Sequence, residues 1–340
     1  MGIRHHALIV GVGSIGERHL RCFQATGRAS AALVETNPDR RAAICQQYGV
    51  RGYESVEAAL AADSVESSPF DVAVVATPAH LHIEQAMRLV SGDIHVLIEK
   101  PLSTQLDGID RLAAAAAKQN VVVGVAYVYR CFPTLVSMRE AITGGRFGRP
   151  VELVAVSGQH FPTYRPAYRQ TYYAARATGG GAIQDALTHV LNLGEWLLGP
   201  IDRLVADAAH QVLPGVEVED TVHLLARHGG VPASYSLNQH QAPNENTVTV
   251  ICERGTVRWE SHQNRWRWTT TPDEPWHDEP HEPQARDAAF IAQANAFMDA
   301  VENRAAPRCS LAEGLQTLRV NLAALTSLES RRWERVGGAP

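Results

Sequence analysis

Residues 7–16, which read Ala-Leu-Ile-Val-Gly-Val-Gly-Ser-Ile-Gly, decide the fold of this chain. An apolar run of strand length, Ala7–Val10, leads into a GxGxxG pattern, and Glu17–Thr26 continues as a plausible helix. The first glycine permits a tight turn, the second lets the backbone approach a pyrophosphate, and the third lets helix and strand pack closely. The helix N-terminus then offers free N–H groups to phosphates. The pattern therefore predicts a dinucleotide site that includes Gly11, Gly13, Ser14, Ile15 and Gly16.

Further apolar runs of strand length follow, separated by segments of helical character such as His80–Val90 and Gln105–Gln119. This alternation predicts βαβ units and a buried parallel sheet. We therefore expect residues 1–127 to form a dinucleotide-binding Rossmann domain, a doubly wound α/β sheet. The further strand runs are Ala31–Glu35, Val72–Thr77, Val96–Lys100 and Val121–Tyr127.

The second half of the chain is rich in β-type runs, and several of them alternate apolar and polar residues. Such alternation favours an antiparallel sheet with one face solvated or covered by a partner. We expect one helix at Ala182–Leu198, two closing helices near Gln284–Glu302 and Ser310–Ser330, and a surface loop at Thr271–Pro283. Residues 128–340 are thus predicted to form a second domain. Its strand runs are Val151–Gln159, Arg203–Gln211, Thr221–His228, Val231–Gln239, Thr247–Glu253 and Thr256–Trp268.

Composition excludes several classes of protein. The net charge of -5 over 340 residues gives no basic footprint for nucleic acid. The longest apolar runs fall short of the ~18 residues that span a bilayer, and five scattered cysteines without a CxxC predict neither a disulfide framework nor structural zinc. Although 15 histidines are present, pairs such as His80 and His82 lack further ligands at metal spacing, so no metal is expected. We expect a cytoplasmic protein.

Two further segments are predicted to border the cofactor. Glu35 ends the second strand, 19 residues after Gly16, where an acid can accept hydrogen bonds from the adenosine ribose hydroxyls and repel a 2′-phosphate. This favours NAD, although Arg40 and Arg41 follow closely and could hold the phosphate of NADP instead. A second segment closes another strand, at the carboxyl edge where ligands bind. It contains Thr77, Pro78 and His80.

The candidate catalytic residues come from two motifs. The segment Glu99-Lys100-Pro101 lies at a strand end, and all three residues are predicted to contact the cofactor. The ammonium of Lys100 could also hydrogen-bond a substrate hydroxyl and stabilise the charge that develops on its oxygen. Asp185 and His189 stand four residues apart on one predicted helix after three glycines, so the carboxylate could orient an imidazole that takes the proton. Taken alone, each motif also fits a role without catalysis: Lys100 as a solvated charge, and Asp185 and His189 as a local pair within a helix.

Together these stretches resemble the glucose–fructose oxidoreductase, inositol dehydrogenase and MocA family (Gfo/Idh/MocA). The resemblance implies a C-terminal α/β domain with a large, mostly antiparallel open sheet, which commonly forms the interface of dimers or tetramers. It places Lys100 on the lysine of the family's Glu-Lys-Pro motif, Pro101 on a proline often preceded by a cis bond, and Asp185 and His189 on the acid and histidine of the second-domain helix. The resemblance implies that either the histidine or the lysine serves as acid or base, because the division varies within the family. The matching stretches are GVGSIGERHL, ATPAHLH, EKPLS, AYVYRCFPT, GGRFGRPVEL, GGGAIQDALTHVLNLGEWLLG and LAEGLQTLRVNLAALTSLES.

The resemblance also implies substrate-binding residues. Arg130 falls on the arginine of a Tyr-Arg-Phe type of segment, but Cys131 displaces the phenylalanine by one position, which puts the role of Arg130 in doubt. Relatives carry substrate-contacting loops before the three glycines. The candidates in that loop, in addition to Lys100, Asp185 and His189, are Tyr164, Arg165, Tyr168 and Arg169.

The resulting hypothesis is an NAD(P)-dependent oxidoreductase. It would transfer a hydride between the nicotinamide and a secondary alcohol of a sugar, sugar derivative or cyclitol. Two alternatives remain: an NAD-dependent glycoside hydrolase that oxidises its substrate transiently, and a non-catalytic dinucleotide-binding protein, which would not need Lys100, Asp185 and His189.

Overall fold

The structure, a computed structural model, describes residues 4–63 and 69–337. The chain divides into two compact units. The first contains the residues up to Cys131 together with Ala285–Leu315, and the second contains Phe132–Gln284 together with the residues from Gln316 onward.

The first unit is built on a six-stranded parallel sheet in the order β3-β2-β1-β4-β5-β6. The order reverses between β1 and β4, and in open α/β sheets ligands bind in the crevice at such a reversal. The predicted Rossmann fold is confirmed. The strands are β1 (His5–Val10), β2 (Ala29–Val34), β3 (Arg51–Tyr53), β4 (Val72–Val75), β5 (His95–Ile98) and β6 (Val123–Val125).

Helices connect these strands. Three of them were predicted within a few residues of their bounds; α2 and α3 were not anticipated. The ends of α2 follow local rules: Asn37 accepts a hydrogen bond from the backbone N–H of Arg40, Pro38 begins the helix, and Gly49 ends it in the left-handed conformation. The helices are α1 (Ser14–Ala25), α2 (Pro38–Tyr48), α3 (Val56–Asp63), α4 (His82–Val90) and α5 (Ile109–Gln119).

The second unit is built on a nine-stranded sheet in the order β14-β13-β12-β11-β7-β10-β9-β8-β15. Neighbours are antiparallel except β7 and β10, which pair in parallel. The large, mostly antiparallel sheet is therefore confirmed. The strands are β7 (Pro150–His160), β8 (Arg203–Ala209), β9 (Thr221–His228), β10 (Val231–Asn238), β11 (His240–Cys252), β12 (Gly255–Glu260), β13 (Arg265–Thr269), β14 (His277–Glu279) and β15 (Glu334–Arg335).

Two details of this sheet differ from the sequence prediction. The run Thr256–Trp268 is two strands, because a 3-10 turn at Ser261–Gln263 and a left-handed Asn264 reverse the chain between them. The expected surface loop at Thr271–Pro283 contains β14, which pairs with β13. A short strand rich in charged residues carries too little apolar signal to be found by periodicity.

The helices of the second unit pack on one face of its sheet, and one of them, α8, carries His189. The second unit contains α6 (Pro133–Thr143), α7 (Phe161–Tyr164) and α8 (Thr188–Leu198). A β-carbon at Gly194 of α8 would overlap the hydroxyl of Tyr235 on β10, so only glycine allows this close approach.

Two helices close the chain, α9 (Ala288–Val301) and α10 (Leu311–Ser330), as predicted. The sequence assigned both to the second domain, but α9 lies in the first unit and the division falls within α10. The reason is the packing of α9: Phe297 and Met298 lie in the core beneath β1, and Arg21 of α1 binds Asp287 at the start of α9. Within the described residues, no helix is both long and apolar enough to cross a bilayer.

Candidate active site

The glycine-rich turn between β1 and α1 has the geometry that its sequence predicts. Gly11 has a φ of 86°, and a β-carbon there would lie 3.0 Å from the carbonyl oxygen of Ala76. A β-carbon at Gly16 would overlap the carbonyl oxygen of Gly11, so this glycine is required for the helix to pack against the strand. In contrast, a β-carbon at Gly13 meets nothing within 4 Å. Gly13 therefore faces open space at the N-terminus of α1.

This turn fits a dinucleotide. Ser14 and Ile15 begin α1 directly after Gly13, and Gly13 has no side chain that could cap the helix. The open space beside Gly13 and the N–H groups of the first turn are what a pyrophosphate requires.

Alanine at the two glycines should separate binding from folding. Gly13→Ala should leave the thermal midpoint close to wild type but weaken NAD binding by about tenfold or more, because its methyl group occupies the space of the pyrophosphate. Gly16→Ala should destabilise the fold by about 1–3 kcal/mol through overpacking. Calorimetric titration with NAD and thermal unfolding measure the two effects. Equal NAD affinity in Gly13→Ala and wild type would argue against the site.

Glu35 lies directly after β2 and is buried. One carboxylate oxygen accepts the backbone N–H of Asn37 at 2.9 Å, and the other lies 3.4 Å from Nη1 of Arg40. Arg41 instead donates to the backbone carbonyl of Glu35. The carboxylate is therefore held in place by its neighbours, and Arg40 already faces an acid.

The segment after β4 contains Thr77, Pro78 and His80, and their contact with the cofactor stays a prediction. The hydroxyl of Thr77 is buried without a hydrogen-bond partner among the described residues, whereas His80 is exposed on a 3-10 turn. Sequence reasoning missed His82, whose two ring nitrogens lie 2.7 Å from the carbonyl oxygen of Thr77 and 3.0 Å from that of Pro101. Burial lowers the pKa of His82. This histidine ties together the segments that follow β4 and β5.

The Glu99-Lys100-Pro101 segment follows β5, and the peptide bond between Lys100 and Pro101 is cis. Glu99 is buried, with one oxygen 2.7 Å from Nε2 of His19 on α1 and the other accepting the N–H of Lys100 at 2.9 Å. The carboxylate thus fixes the backbone that carries Lys100. The predicted contact of Glu99 with the cofactor stays a prediction.

In the second unit, Asp185 and His189 lie on one continuous helical stretch, but the stretch is not regular. Ile183–Leu187 form a π-helical turn that leads into α8, and single π turns are frequent at functional sites. Asp185 is only 8% exposed and accepts a hydrogen bond from the hydroxyl of Tyr172 at 2.7 Å. His189 is half-buried in the first turn of α8. The orientation of His189 by Asp185 stays a prediction, and Tyr172 was missed.

Two of the three glycines before this helix are explained by close contacts. A β-carbon at Gly180 would overlap the carbonyl oxygen of Tyr173, and one at Gly181 would overlap the carboxylate of Glu219. The same carboxylate accepts the N–H of Ile183 at 3.2 Å and binds Arg176. Glu219 therefore satisfies a backbone donor at the start of the helix, where a negative charge is favourable.

The predicted substrate loop divides into exposed and buried residues. Tyr164 and Arg165 are exposed. Tyr168 is 2% exposed, donates its hydroxyl to the carbonyl of Pro214, and packs against Phe161. Arg169 is exposed, donates to the same carbonyl, and lies over the ring of Tyr168. Tyr168 therefore supports the loop from within. The sequence did not show this, because an alternating apolar and polar pattern does not separate anchoring tyrosines from exposed ones.

Two family models match this chain, one in its N-terminal part and one in its C-terminal part. Residues 5–127 match the model of an oxidoreductase family with an NAD-binding Rossmann fold, and residues 135–258 match the Gfo/Idh/MocA C-terminal domain. The chain belongs to the Gfo/Idh/MocA family. The resemblance inferred from the sequence motifs is thus confirmed, and the Rossmann domain is an NAD-binding one.

Individual Gfo/Idh/MocA relatives act on sugars or bind them. The chain is 29% identical over 217 residues to 1,5-anhydro-D-fructose reductase of Ensifer adhaerens, a match that spans 63% of either chain. Just under two thirds of that relative is therefore covered. The WlbA dehydrogenase of Bordetella pertussis in complex with NADH and UDP-GlcNAcA is 25% identical, with a TM-score of 0.83 over 99% of both chains. Levoglucosan dehydrogenase in complex with NADH and levoglucosan is 20% identical, with a TM-score of 0.87 over 98% of this chain and 100% of that one, and shows the shared fold.

Arg130 occupies an unexpected place for a substrate-binding residue of a Gfo/Idh/MocA protein. It is buried in the first unit, where it donates to the carbonyl of Arg308 and pairs with Glu313. Burial opposes the charge of Glu313, but Arg130 and the N–H of Ser310 outweigh it and lower the pKa of that carboxyl. The structure gives Arg130 a role in holding the start of α10, and its contact with substrate stays a prediction.

Proposed function

We propose that this protein is an NAD-dependent dehydrogenase that oxidises a secondary alcohol of a sugar, sugar derivative or cyclitol, or catalyses the reverse reaction. The proposal is carried by the half-buried His189 of the second unit. His189 lies one helical turn after the buried Asp185, which is part of the π-helical turn. A protein that only binds a dinucleotide needs no acid and histidine at such a position. The sugar dehydrogenases among its relatives support the same class of substrate.

The chain's own residues divide the work of the oxidation. NAD, when bound, supplies the hydride acceptor. An imidazole nitrogen of His189 removes the proton from the substrate hydroxyl, with Asp185 orienting the ring and stabilising its positive charge. The ammonium of Lys100 donates a hydrogen bond to the same oxygen and stabilises its developing charge while the carbonyl forms. Lys100 and His189 belong to different units, and their action on one oxygen is part of the proposal.

The charge of the substrate loop supports an anionic group on the substrate. Residues 160–184 contain Arg165, Arg169 and Arg176 and no acidic residue. Arg176 binds Glu219, whereas Arg165 donates to the carbonyl oxygen of Tyr164. Arg169 donates to the carbonyl oxygen of Pro214 and to the hydroxyl of Tyr168. Arginine binds carboxylates and phosphates through two parallel hydrogen bonds. We propose a sugar acid or a phosphorylated sugar as the preferred substrate.

The deciding experiment is the absorbance of reduced nicotinamide with purified protein, NAD or NADP, and a panel of neutral sugars, sugar acids, sugar phosphates and inositols. A substrate-dependent rise supports the dehydrogenase, and a higher kcat/KM for the anionic members supports the role of the arginines. A flat trace with tight NAD binding, together with release of free sugar from glycosides, would instead establish a hydrolase.

Glu35 should set the preference for NAD. In Glu35→Ser the affinity for NAD should fall about tenfold or more, because hydrogen bonds to a charged group are lost. The affinity for NADP should rise, because the 2′-phosphate no longer faces a carboxylate and Arg40 is released to bind it. Titration of both nucleotides measures the ratio, with Asp110→Ser, which changes an exposed acid of α5, as the control. An unchanged ratio would contradict the assignment of Glu35.

We also propose that the chain forms a homodimer or homotetramer through the face of the nine-stranded sheet that its own helices leave uncovered. Val156 on β7 and Leu225 on β9 lie on that face and are 50% and 53% exposed. Both point away from the buried residues of their strands. Light scattering tests this proposal: a mass of two or four times 37.0 kDa supports it, and a mass of one chain contradicts it.

A further inference from the structure

The hydroxyl of Tyr172 contacts Asp185 from a different segment of the chain. The phenol donates a hydrogen bond to Oδ1 of Asp185 at 2.7 Å. Asp185 is 8% exposed, whereas Tyr172 is 40% exposed. Tyr172 therefore extends from the surface of the substrate loop to the buried carboxylate of Asp185 and holds it.

The backbone at Tyr172 and Tyr173 is held by contacts with the loop and with Gln239. The hydroxyl of Thr178 donates to the carbonyl of Tyr172 at 2.7 Å. The neighbouring Tyr173 is buried and donates its hydroxyl to the side chain of Gln239. Gly180 lies directly on the carbonyl of Tyr173. These contacts hold the backbone at the carbonyl of Tyr172 and at the residue that follows it, and so position the side chain that reaches Asp185.

The surroundings make a donor to Asp185 valuable. Burial raises the pKa of Tyr173, and the negative charges of Asp185, Glu219 and Asp220 raise it further. The negative charges of Glu219 and Asp220 therefore lie in the same region of the second unit as Asp185. A buried carboxylate among like charges needs hydrogen-bond donors to remain ionised. Tyr172 is such a donor, and it comes from the loop that precedes the helix.

We propose that Tyr172 is a positioning residue for the reaction: its hydroxyl holds the carboxylate of Asp185 in the orientation that aligns His189 for proton transfer. Tyr172 thereby couples the placement of the substrate loop to the acid–histidine pair. This inference rests on the proposed dehydrogenase function, and nothing in the motif of three glycines, acid and histidine requires a tyrosine at this point.

The test is a double-mutant cycle of Tyr172→Phe and Asp185→Ala, measured by steady-state kinetics with the best substrate of the panel. Tyr172→Phe keeps the ring and removes only the hydrogen bond, so kcat should fall about tenfold while KM stays within about threefold of wild type. In the Asp185→Ala background the same change should have almost no further effect, because the acceptor through which Tyr172 acts is already lost.

Tyr48→Phe is the matched control, because it removes a phenol–carboxylate bond of 2.6 Å to Glu17 in the first unit, and it should leave kcat unchanged. Thermal unfolding establishes that each variant is folded. An unchanged kcat in Tyr172→Phe, or an equal loss in the wild-type and Asp185→Ala backgrounds, would overturn the role of Tyr172 while leaving an active dehydrogenase. An inactive wild type would overturn the proposed function, and the role of Tyr172 with it.

Discussion

Replacement of His189 by alanine is expected to lower kcat by about 10²–10⁴-fold, the usual contribution of a positioned general base. Hydride leaves the carbinol carbon readily only as the hydroxyl proton is removed, and His189, in the first turn of α8 and half-buried, is the group proposed to take it. Affinity for NAD should change little, because the glycine turn and Glu35 are intact. Steady-state kinetics and NAD titration measure the two effects on one preparation.

His262→Ala is the control for this variant, because His262 is exposed on the 3-10 turn between β12 and β13. Wild-type turnover in His189→Ala would reject the histidine as the base. A small loss of kcat in His189→Ala, together with a much larger loss in a Lys100 variant, would assign the role of base to Lys100. The family resemblance allows this assignment as well.

Replacement of Lys100 by methionine is expected to lower kcat by about 10²–10³-fold, comparable to the loss of one donor that stabilises a developing oxyanion. Methionine keeps the length and apolar stem of the side chain but cannot donate a hydrogen bond. Because Glu99 fixes the backbone at this position through the N–H of Lys100, the fold should be unaffected. Lys100→Arg should restore little of the activity, since a planar guanidinium does not replace a compact ammonium.

Lys118→Met, which changes an exposed lysine in the last turn of α5, provides the matched control for Lys100. Thermal unfolding should give similar midpoints for both variants. If Lys100→Met and Lys118→Met turned over substrate at the same rate, Lys100 would have no part in the reaction.

The cofactor half of the site could be predicted from the sequence because its determinants are local. The apolar run, the three glycines and the start of α1 follow one another along the chain, so the turn they form depends on a few adjacent residues. The contacts that the β-carbons of Gly11 and Gly16 would make explain why two of these glycines are needed. The position of Glu35 directly after β2 could be predicted for the same reason, since that strand is marked by its own apolar run.

The partners of the site residues could not be predicted, because they come from distant segments. Glu99 is bound by His19, which lies 80 residues earlier, and Arg130 binds the carbonyl of Arg308, 178 residues later. Neither pair belongs to a periodic pattern or a motif. The burial of Tyr168 was missed for a related reason: an aromatic residue in a loop can anchor the loop or face a ligand, and only packing distinguishes the two.

The sequence by itself determined the Rossmann domain, the strand-rich second domain and the candidate residues Lys100, Asp185 and His189, because apolar periodicity, glycine conformation and short motifs depend on neighbouring residues. Only the tertiary structure decided that α9 packs in the first unit, that His82 joins two strand ends, and that Tyr172 holds Asp185. Those contacts are made by burying particular surfaces against one another, and the free energy of burial carries no trace in the spacing of residues along the chain.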